Sequence, residues 1–573
     1  MPGTGLDDEL RAAAGRWIDD DLDPAARSQL RELLDAAETG SAEAIADLAD
    51  RMSGMPAFGT AGMRAAVRAG ANGMNRSVVV RTTAGVARWL TGSGRGGGVV
   101  VVGRDARHGS EDFAVDAAEV LSAAGFDVRV LPEPLPTPVL AHSSRALGAV
   151  AGVQITASHN PPEDNGYKLY LEGGVQLVDP VDGEIEAEIS RTPPANSVPR
   201  SDSWSTHHSG LEDYLHRAAS LPRSPNRQLR VAATALHGVG ARPLVRALER
   251  AGFSDVHLVA SQAEPDPDFP TVGFPNPEEP GATDELLALA SRVRADLAVA
   301  LDPDADRCAL GVQENGVWRM LRGDEAGVLL GWYLLSTLDS TDPGPGTARD
   351  AGGNGSGPRP LVATTIVSAT MLRPIAEDFG VRYDETLTGF KWLVRAGDGA
   401  GTGLVYAYEE ALGLCVDPDA VRDKDGISAA VLACDLAAAT EARGGALPET
   451  LDALSREHGV HHTGQVSVRV TDLDRIPETM RRLRARPPSD VAGVPARCRD
   501  LAPDTDALVI TGDGLRVVIR PSGTEPKLKC YLQVVEEVGG ADGSGEDPLD
   551  LAKRRAADRL DELRAAVSEM VGS

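Results

Sequence analysis

Cysteine is scarce in this chain of 573 residues. The five present, Cys308, Cys415, Cys434, Cys498 and Cys530, are scattered and lack C-x-x-C spacing. An odd, dispersed set argues against a disulfide framework and against a cysteine zinc site. Long apolar runs are missing too, and with no stretch of about 18 apolar residues no transmembrane helix is expected. The first residues, Met1-Pro2-Gly3-Thr4-Gly5-Leu6-Asp7-Asp8, carry neither a basic n-region nor an apolar h-region, so no secretory leader is read there. Positive charge is in deficit: 57 Lys and Arg stand against 85 Asp and Glu, a formal net charge of −28. Such a surface repels nucleic acid and anionic membrane, and neither is expected as a partner. It repels anionic small substrates as well, so any phosphate site must be locally basic, built from a few placed Arg, Lys and backbone N–H groups. The expectation is a reduced, cytoplasmic, soluble protein.

What is present is enough to fold. Hydrophobic residues make up 42 % and charged residues 25 % of the chain, a globular composition, and the length suits three to five domains. Residues 7–50 read as helical, from Leu6, Leu10, Ala13 and Trp17 and again from Leu30, Leu33 and Leu34. From about residue 58 apolar β-like runs alternate with helical segments: Val99–Val102, a helix around 112–124, Val128–Leu131, then Ala149–Ile155. That rhythm implies parallel sheets flanked by helices. It restarts at Leu229–Ala233, running to Leu297–Leu301, and again near Arg322, with Leu361–Val367 and Gly403–Ala407. The last part alternates instead, at Gly464–Val470 and Gly514–Arg520, which predicts a smaller α+β domain. Asp339–Pro360 and Gly539–Pro548, rich in Gly, Pro, Ser and Asp, read as surface insertions.

Four segments carry chemistry. Thr156-Ala157-Ser158-His159-Asn160-Pro161-Pro162 directly follows a predicted strand, and a tight polar turn there exposes side chains at the carboxyl edge of a sheet, where α/β proteins place ligands. Ser158 beside His159 suits a nucleophile, with Lys168 a second basic group; the alternative is an ordinary Asn-Pro turn. Asp302-Pro303-Asp304-Ala305-Asp306-Arg307 follows the strand Leu297–Leu301, and its alternate carboxylates can converge on one hard cation. An EF-hand is excluded, because Arg307 and Gln313 stand where Gly and Glu are needed; a solvated acidic turn is the remaining alternative. Arg520-Pro521-Ser522-Gly523-Thr524-Glu525-Pro526-Lys527 combines an Arg, two hydroxyls and glycine-supported N–H groups, a compact oxyanion clamp in a chain without a Walker pattern. Its competitor is a Pro-Gly turn. Tyr408-Glu409-Glu410-Ala411-Leu412-Gly413 ends another strand, where Glu409 can accept from sugar hydroxyls or merely open a helix. The letters Gly92-Ser93-Gly94-Arg95-Gly96-Gly97 fit G-x-G-x-x-G but precede a strand, so no dinucleotide site is read. His461 and His462 are expected on the surface.

Taken in order, these segments resemble the α-D-phosphohexomutase superfamily, the phosphoglucomutase/phosphomannomutase enzymes, over nearly the whole chain beyond about residue 50. Supporting matches are Phe58-Gly59-Thr60-Ala61-Gly62-Met63-Arg64, Gly103-Arg104-Asp105-Ala106-Arg107, Thr234-Ala235-Leu236-His237-Gly238 and Thr388-Gly389-Phe390-Lys391-Trp392. The resemblance implies an α/β fold of three consecutive mixed-sheet domains plus a smaller C-terminal α+β domain around a central cleft. The divisions are an N-terminal helical extension (1–50), a phosphoserine-loop domain (51–215), a metal-loop domain (216–320), a sugar-recognition domain (321–455) and a phosphate-binding domain (456–573). It implies an enzyme phosphorylated at Ser158, with Mg²⁺ held by Asp302, Asp304, Asp306 and a phosphoryl oxygen on Ser158. A hexose 1,6-bisphosphate would be the intermediate and activator of a sugar-phosphate isomerisation. Arg307 would steady the transferring group, Lys168 or His159 would manage the hydroxyl proton, and Arg64 and Lys391 would be cleft cations. Arg520, Ser522, Gly523 and Thr524 would hold the non-reacting phosphate, and Glu409 the sugar hydroxyls. The chain would work as a monomer or homodimer. It departs from many relatives at Ala411, where they carry Ser or Thr; the Glu-Glu-Ala form resembles the subgroup that includes phosphopentomutase-type and bisphosphate-making enzymes as well as phosphomannomutases. Hexose mutase, pentose mutase, non-catalytic sugar-phosphate sensor and phosphatase are the readings to separate.

Overall fold

The structure, a computed structural model, describes residues 6–59, 62–338, 358–470, 474–522, 527–540 and 546–572. Most of the Asp339–Pro360 insertion, the centre of the Gly539–Pro548 insertion, and Thr60, Ala61, Gly523 and Thr524 lie outside the described residues. The chain forms two compact units, Met1–Gly311 with Asp417–Asp435, and Val312–Val416 with Leu436–Ser573. No helix among the described residues is long and apolar enough to cross a membrane.

In the first unit, Val99–Arg104 pairs in parallel with Asp127–Val130 on one side and Ala151–Ile155 on the other. Ala151–Ile155 is buried at every position. Strands covered by helices on both faces must be apolar throughout, which is why both read as unbroken hydrophobic runs. Asp164–Leu171 then returns antiparallel to Ala151–Ile155, and Met63–Ala66 adds antiparallel to it. Asp7, Asp23 and Ser41 cap the N-terminal helices Asp8–Asp20, Pro24–Glu38 and Ala42–Arg51, each accepting a backbone N–H through its side chain. Ala14, Trp17, Ile18, Leu30 and Leu48 of these helices are buried in the same core as the sheet. In the second sheet Leu297–Leu301, wholly buried, lies between parallel Arg230–Thr234 and antiparallel Cys308–Glu314.

In the second unit, Leu361–Thr365 pairs in parallel with Arg382–Thr386 and Leu404–Glu409, and Gly413–Cys415 closes the edge antiparallel. The last sheet is antiparallel, in the order Val460–Arg469, Lys527–Glu536, Leu515–Pro521, Leu508–Gly512, Val494–Asp500, Asp490–Val491. The helix Pro548–Val571 buries Leu549, Ala552, Ala556, Leu560, Leu563, Val567 and Val571, a three-four spacing that keeps one stripe on that sheet's core. His461 and His462 are half-buried, which corrects the surface placement expected of them. They sit on a strand paired with Lys527–Glu536, and His461 Nδ1 is 2.9 Å from Gln533 Nε2.

Candidate active site

The hairpin from Ala151–Ile155 to Asp164–Leu171 builds the first half of the site. Thr156 Oγ1 accepts the Ser158 N–H at 2.9 Å, tightening the turn, and Ser158 takes a left-handed φ of 54°. That region costs a residue with a Cβ about 1–2 kcal/mol, a strain the surrounding contacts must hold. The antiparallel register places Lys168 opposite Gln154 and Arg64 opposite Gly166, so residues distant in sequence arrive on the same edge. Gly62 and Gly166 allow the approach: a Cβ on Gly62 would lie 2.7 Å from the Tyr167 carbonyl, and one on Gly166 would lie 2.6 Å from the Met63 and Thr156 carbonyls.

The turn after Leu297–Leu301 supplies the second half. Asp302 Oδ1 accepts the Arg307 N–H at 3.0 Å, the Asp302 carbonyl accepts the Ala305 N–H, and Ala305 has a φ of 54°. Gly238 lets the preceding turn press against this loop, since a Cβ there would lie 2.2 Å from Pro303 Cα. The three carboxylates of Asp302, Asp304 and Asp306 are fully buried, with ligand atoms within 4.8 Å of one another. Ser158 Oγ donates to Asp302 Oδ2 at 2.7 Å. His159 Nδ1 lies 3.5 Å from Ser158 Oγ.

Cations balance this buried charge. Lys168 Nζ donates to Asp304 Oδ2 and Asp306 Oδ2, both at 2.6 Å. Lys424 Nζ lies 3.3 Å from Asp306 Oδ2, and Arg307 Nε 3.9 Å from Asp306 Oδ1. Burial pushes all three carboxyls up. Asp302 rises well above the usual range, with Asp304 and Asp306 adding to the effect, whereas Lys168 holds Asp304 and Asp306 below it. Burial tends to lower Lys168, but Asp304 and Asp306 outweigh it and keep the ammonium charged. Lys168 is thus a counter-ion of Asp304 and Asp306 in the metal-free chain. His159 is the reverse case: burial, then Arg307 and Arg64, hold it well below its ordinary value, so the imidazole is neutral.

The donor set fits a hard divalent cation. Oδ1 of Asp304 and Oδ1 of Asp306 are buried and accept no hydrogen bond, and both belong to oxygen ligands of the kind Mg²⁺ takes. The sequence reading missed Lys424. Its signal is the charged run Asp423-Lys424-Asp425 before the buried helix Gly426–Glu441, an unusual place for three charges. Asp423 accepts from Tyr170 and Gln176 at 2.6 Å, and Asp425 from Tyr214 at 2.6 Å. Burial pushes the Asp425 carboxyl up to about 6, against hydrogen bonds from Ser428 and Tyr214. The folded chain thus holds this proton more tightly than the unfolded chain. The contribution of Asp425 is most favourable below about pH 4 and falls by about 3 kcal/mol as pH rises through 6. Unfolding free energies measured from pH 4.5 to 7.5 are expected to fall more steeply in the wild type than in Asp425→Asn.

In the second unit, Glu409 ends the strand Leu404–Glu409 and is buried. Glu410 Oε2 accepts from Thr365 Oγ1 at 3.2 Å and Ser368 Oγ at 3.1 Å. Gly323 makes room for the loop, since a Cβ there would lie 1.8 Å from the Glu410 carbonyl. Lys391 sits on the short helix Phe390–Leu393, opened by Gly389 at a φ of 114°. Burial pushes the Tyr531 hydroxyl up, and the charges of Glu410, Arg520 and Glu409 act on it, so the sugar-loop strand end and Arg520 lie near this ring. The Ser522 N–H donates to the Lys527 carbonyl at 2.8 Å.

Comparison with known proteins identifies the family. The phosphoglucomutase/phosphomannomutase α/β/α domains I, II and III match residues 55–195, 212–316 and 322–456, and the family's C-terminal domain matches 466–541. A probable phosphomannomutase of Haemophilus influenzae is 41 % identical over 490 residues, covering 83 % of this chain and 94 % of its own. A phosphopentomutase of Pongo abelii is 32 % identical over 567 residues, covering 89 % and 88 %. A solved phosphoglucomutase/phosphomannomutase family protein from Burkholderia thailandensis shares the fold, with a TM-score of 0.66 at 20 % identity, over 90 % of this chain and 97 % of that one. The chain belongs to the phosphoglucomutase/phosphomannomutase family, enzymes that isomerise by phosphoryl transfer.

Proposed function

We propose that this mutase interconverts hexose 1-phosphate and hexose 6-phosphate, of glucose, mannose or both, through a phosphoserine at Ser158. The observation that carries the reading is the Ser158 hydroxyl, strained in a left-handed turn and bonded to one of three buried aspartates that leave two carboxylate oxygens without hydrogen bonds. The phosphoryl group on Ser158 Oγ passes to the free sugar hydroxyl; the P–Oγ bond breaks as the new P–O bond forms, and the hydroxyl proton leaves to a base. The resulting 1,6-bisphosphate reorients and returns its other phosphoryl group to Ser158. Phosphoryl transfer needs alignment and charge neutralisation above all. Magnesium held by Asp302, Asp304, Asp306 and an oxygen on Ser158 would supply charge neutralisation when bound. Arg307 and Arg64 add positive charge, and Lys168 steadies the carboxylates. Lys168 or His159 carries the hydroxyl proton. Glu409 and Lys391 hold the sugar, and Arg520 and Ser522, with Gly523 and Thr524, hold the phosphate that does not react.

The hexose reading is favoured by the 41 % identity to a phosphomannomutase. A pentose reading has one observation of its own: a phosphopentomutase is among the relatives. The test offers glucose 1-phosphate, mannose 1-phosphate and ribose 1-phosphate in parallel, with Mg²⁺, with and without a trace of hexose 1,6-bisphosphate. Turnover of a hexose phosphate that rises with the bisphosphate is expected. Turnover of ribose 1-phosphate only would move the assignment to the pentose, and no turnover of any would sink it.

A further inference from the structure

The loop that carries Ser158 is held from behind by one side chain. Arg107 is 4 % exposed, and its guanidinium donates to four carbonyls of this single loop. Nη2 bonds Ser158 O at 2.7 Å and Asn160 O at 2.6 Å; Nη1 bonds Pro161 O at 2.7 Å and Asp164 O at 3.0 Å. The fork is itself fixed. Asp105 Oδ1 accepts the Arg107 N–H at 3.0 Å and the Ser110 hydroxyl at 2.6 Å, and Asp105 Oδ2 lies 3.4 Å from Arg107 Nε. The Phe269 ring covers the guanidinium at 4.9 Å. Phe269 belongs to a segment whose Asp266 N–H bonds the His237 carbonyl, in the turn whose Gly238 abuts the aspartate loop at Pro303. Arg107 therefore joins the turn bearing the hydroxyl to the elements that shape the aspartate cluster.

A left-handed φ at Ser158 persists only where the surroundings impose it. Four carbonyls gathered on one planar cation impose it directly, because Ser158's own carbonyl is among them. We propose that Arg107 is the positioning residue that holds Ser158 Oγ in line for transfer, a role that rests on the reading of Ser158 as the phosphorylated nucleophile. Lysine cannot replace it. An ammonium has three donors and no plane, so it cannot serve four carbonyls or stack on Phe269.

The decisive comparison uses the full chain as wild type, Arg107→Lys, Arg107→Ala and Ser158→Ala. Misplacing a reacting atom by about 1 Å costs on the order of 10²-fold in rate. Arg107→Lys is expected to lower kcat by about that factor with KM changed by no more than about threefold, since sugar and phosphate contacts are untouched. Millimolar guanidinium ion is expected to restore part of the kcat of Arg107→Ala and to do nothing for Arg107→Lys, whose side chain fills the space. Thermal melting of each variant, with rates referred to folded protein, separates positioning from folding. Wild-type kcat in Arg107→Lys would overturn the inference, as would a loss in Arg107→Ala that tracks the unfolded fraction and ignores guanidinium. Ser158→Ala keeps the two ideas apart. If it turns over, the nucleophile reading falls; if it is inactive while Arg107→Lys is normal, only the positioning role falls.

Discussion

Ser158→Ala and Ser158→Gly are both expected to lose turnover by about 10⁴-fold or more, and the glycine variant to be the more stable of the two. Removing the nucleophile of a covalent mechanism leaves only what binding and electrostatics supply, and losses of this size or greater follow. Neither variant has an oxygen to accept the phosphoryl group, so neither gains a phosphoryl adduct by intact mass after incubation with hexose 1,6-bisphosphate. Both also lose the Ser158 Oγ bond to Asp302 Oδ2, which leaves a buried carboxyl oxygen without its donor. That penalty, about 1–3 kcal/mol, is common to the pair. The backbone then separates them. At a φ of 54° alanine keeps the Cβ clash that serine has, and glycine does not, so glycine is expected to gain about 1 kcal/mol over alanine in urea unfolding. An alanine variant that still takes a phosphoryl group, or turns over at a tenth of the wild-type rate, would move the chemistry to another residue.

The parts of this molecule that were legible in sequence share one physical property: their signal is local. Val99–Arg104, Ala151–Ile155 and Leu297–Leu301 announced themselves as apolar runs because both faces of each are covered. Ser158 and the three aspartates stood out because they follow such runs directly, and strand ends are where α/β sheets present side chains. What stayed hidden depends on register and on distant pairing. Nothing in Lys168 itself says that its strand returns antiparallel and sets it opposite Gln154, or that its ammonium then bridges Asp304 and Asp306. Lys424 lies far along the chain, in the Asp417–Asp435 segment that joins the first unit. Arg107 was visible as part of a motif, but the four carbonyls it gathers are backbone atoms, and backbone acceptors leave no trace in side-chain identity. His461 and His462 were misplaced for a similar reason. Polarity suggested exposure, whereas pairing with Lys527–Glu536, with contacts of His461 to Gln533 and Thr370 and of His462 to Arg322, leaves them half-buried.

Lys168→Met is expected to destabilise the metal-free protein by about 3–5 kcal/mol, and Mg²⁺ is expected to return a large part of that loss. In the wild type three buried carboxylates face the cations Lys168, Lys424 and Arg307, and Lys168 touches two of the carboxylates at 2.6 Å. Methionine fills a similar volume without charge, so packing is nearly kept while Asp304 and Asp306 lose their shared partner. Removing one member of a buried ionic group is costly because the charge left behind remains out of water. A cation that binds the folded chain and not the unfolded one stabilises it by mass action, and it acts on the very carboxylates that the substitution leaves short of positive charge. The stabilisation by saturating MgCl₂ relative to EDTA, read from urea unfolding at pH 7.5, should therefore be larger in Lys168→Met than in the wild type. Turnover should fall as well, since the carboxylates are no longer held in place, but less than in Ser158→Ala, because the nucleophile survives. Equal stability of the two proteins in EDTA would mean that Lys168 is not a structural counter-ion of the cluster. A loss in EDTA that Mg²⁺ leaves untouched would mean that the aspartates do not hold the metal.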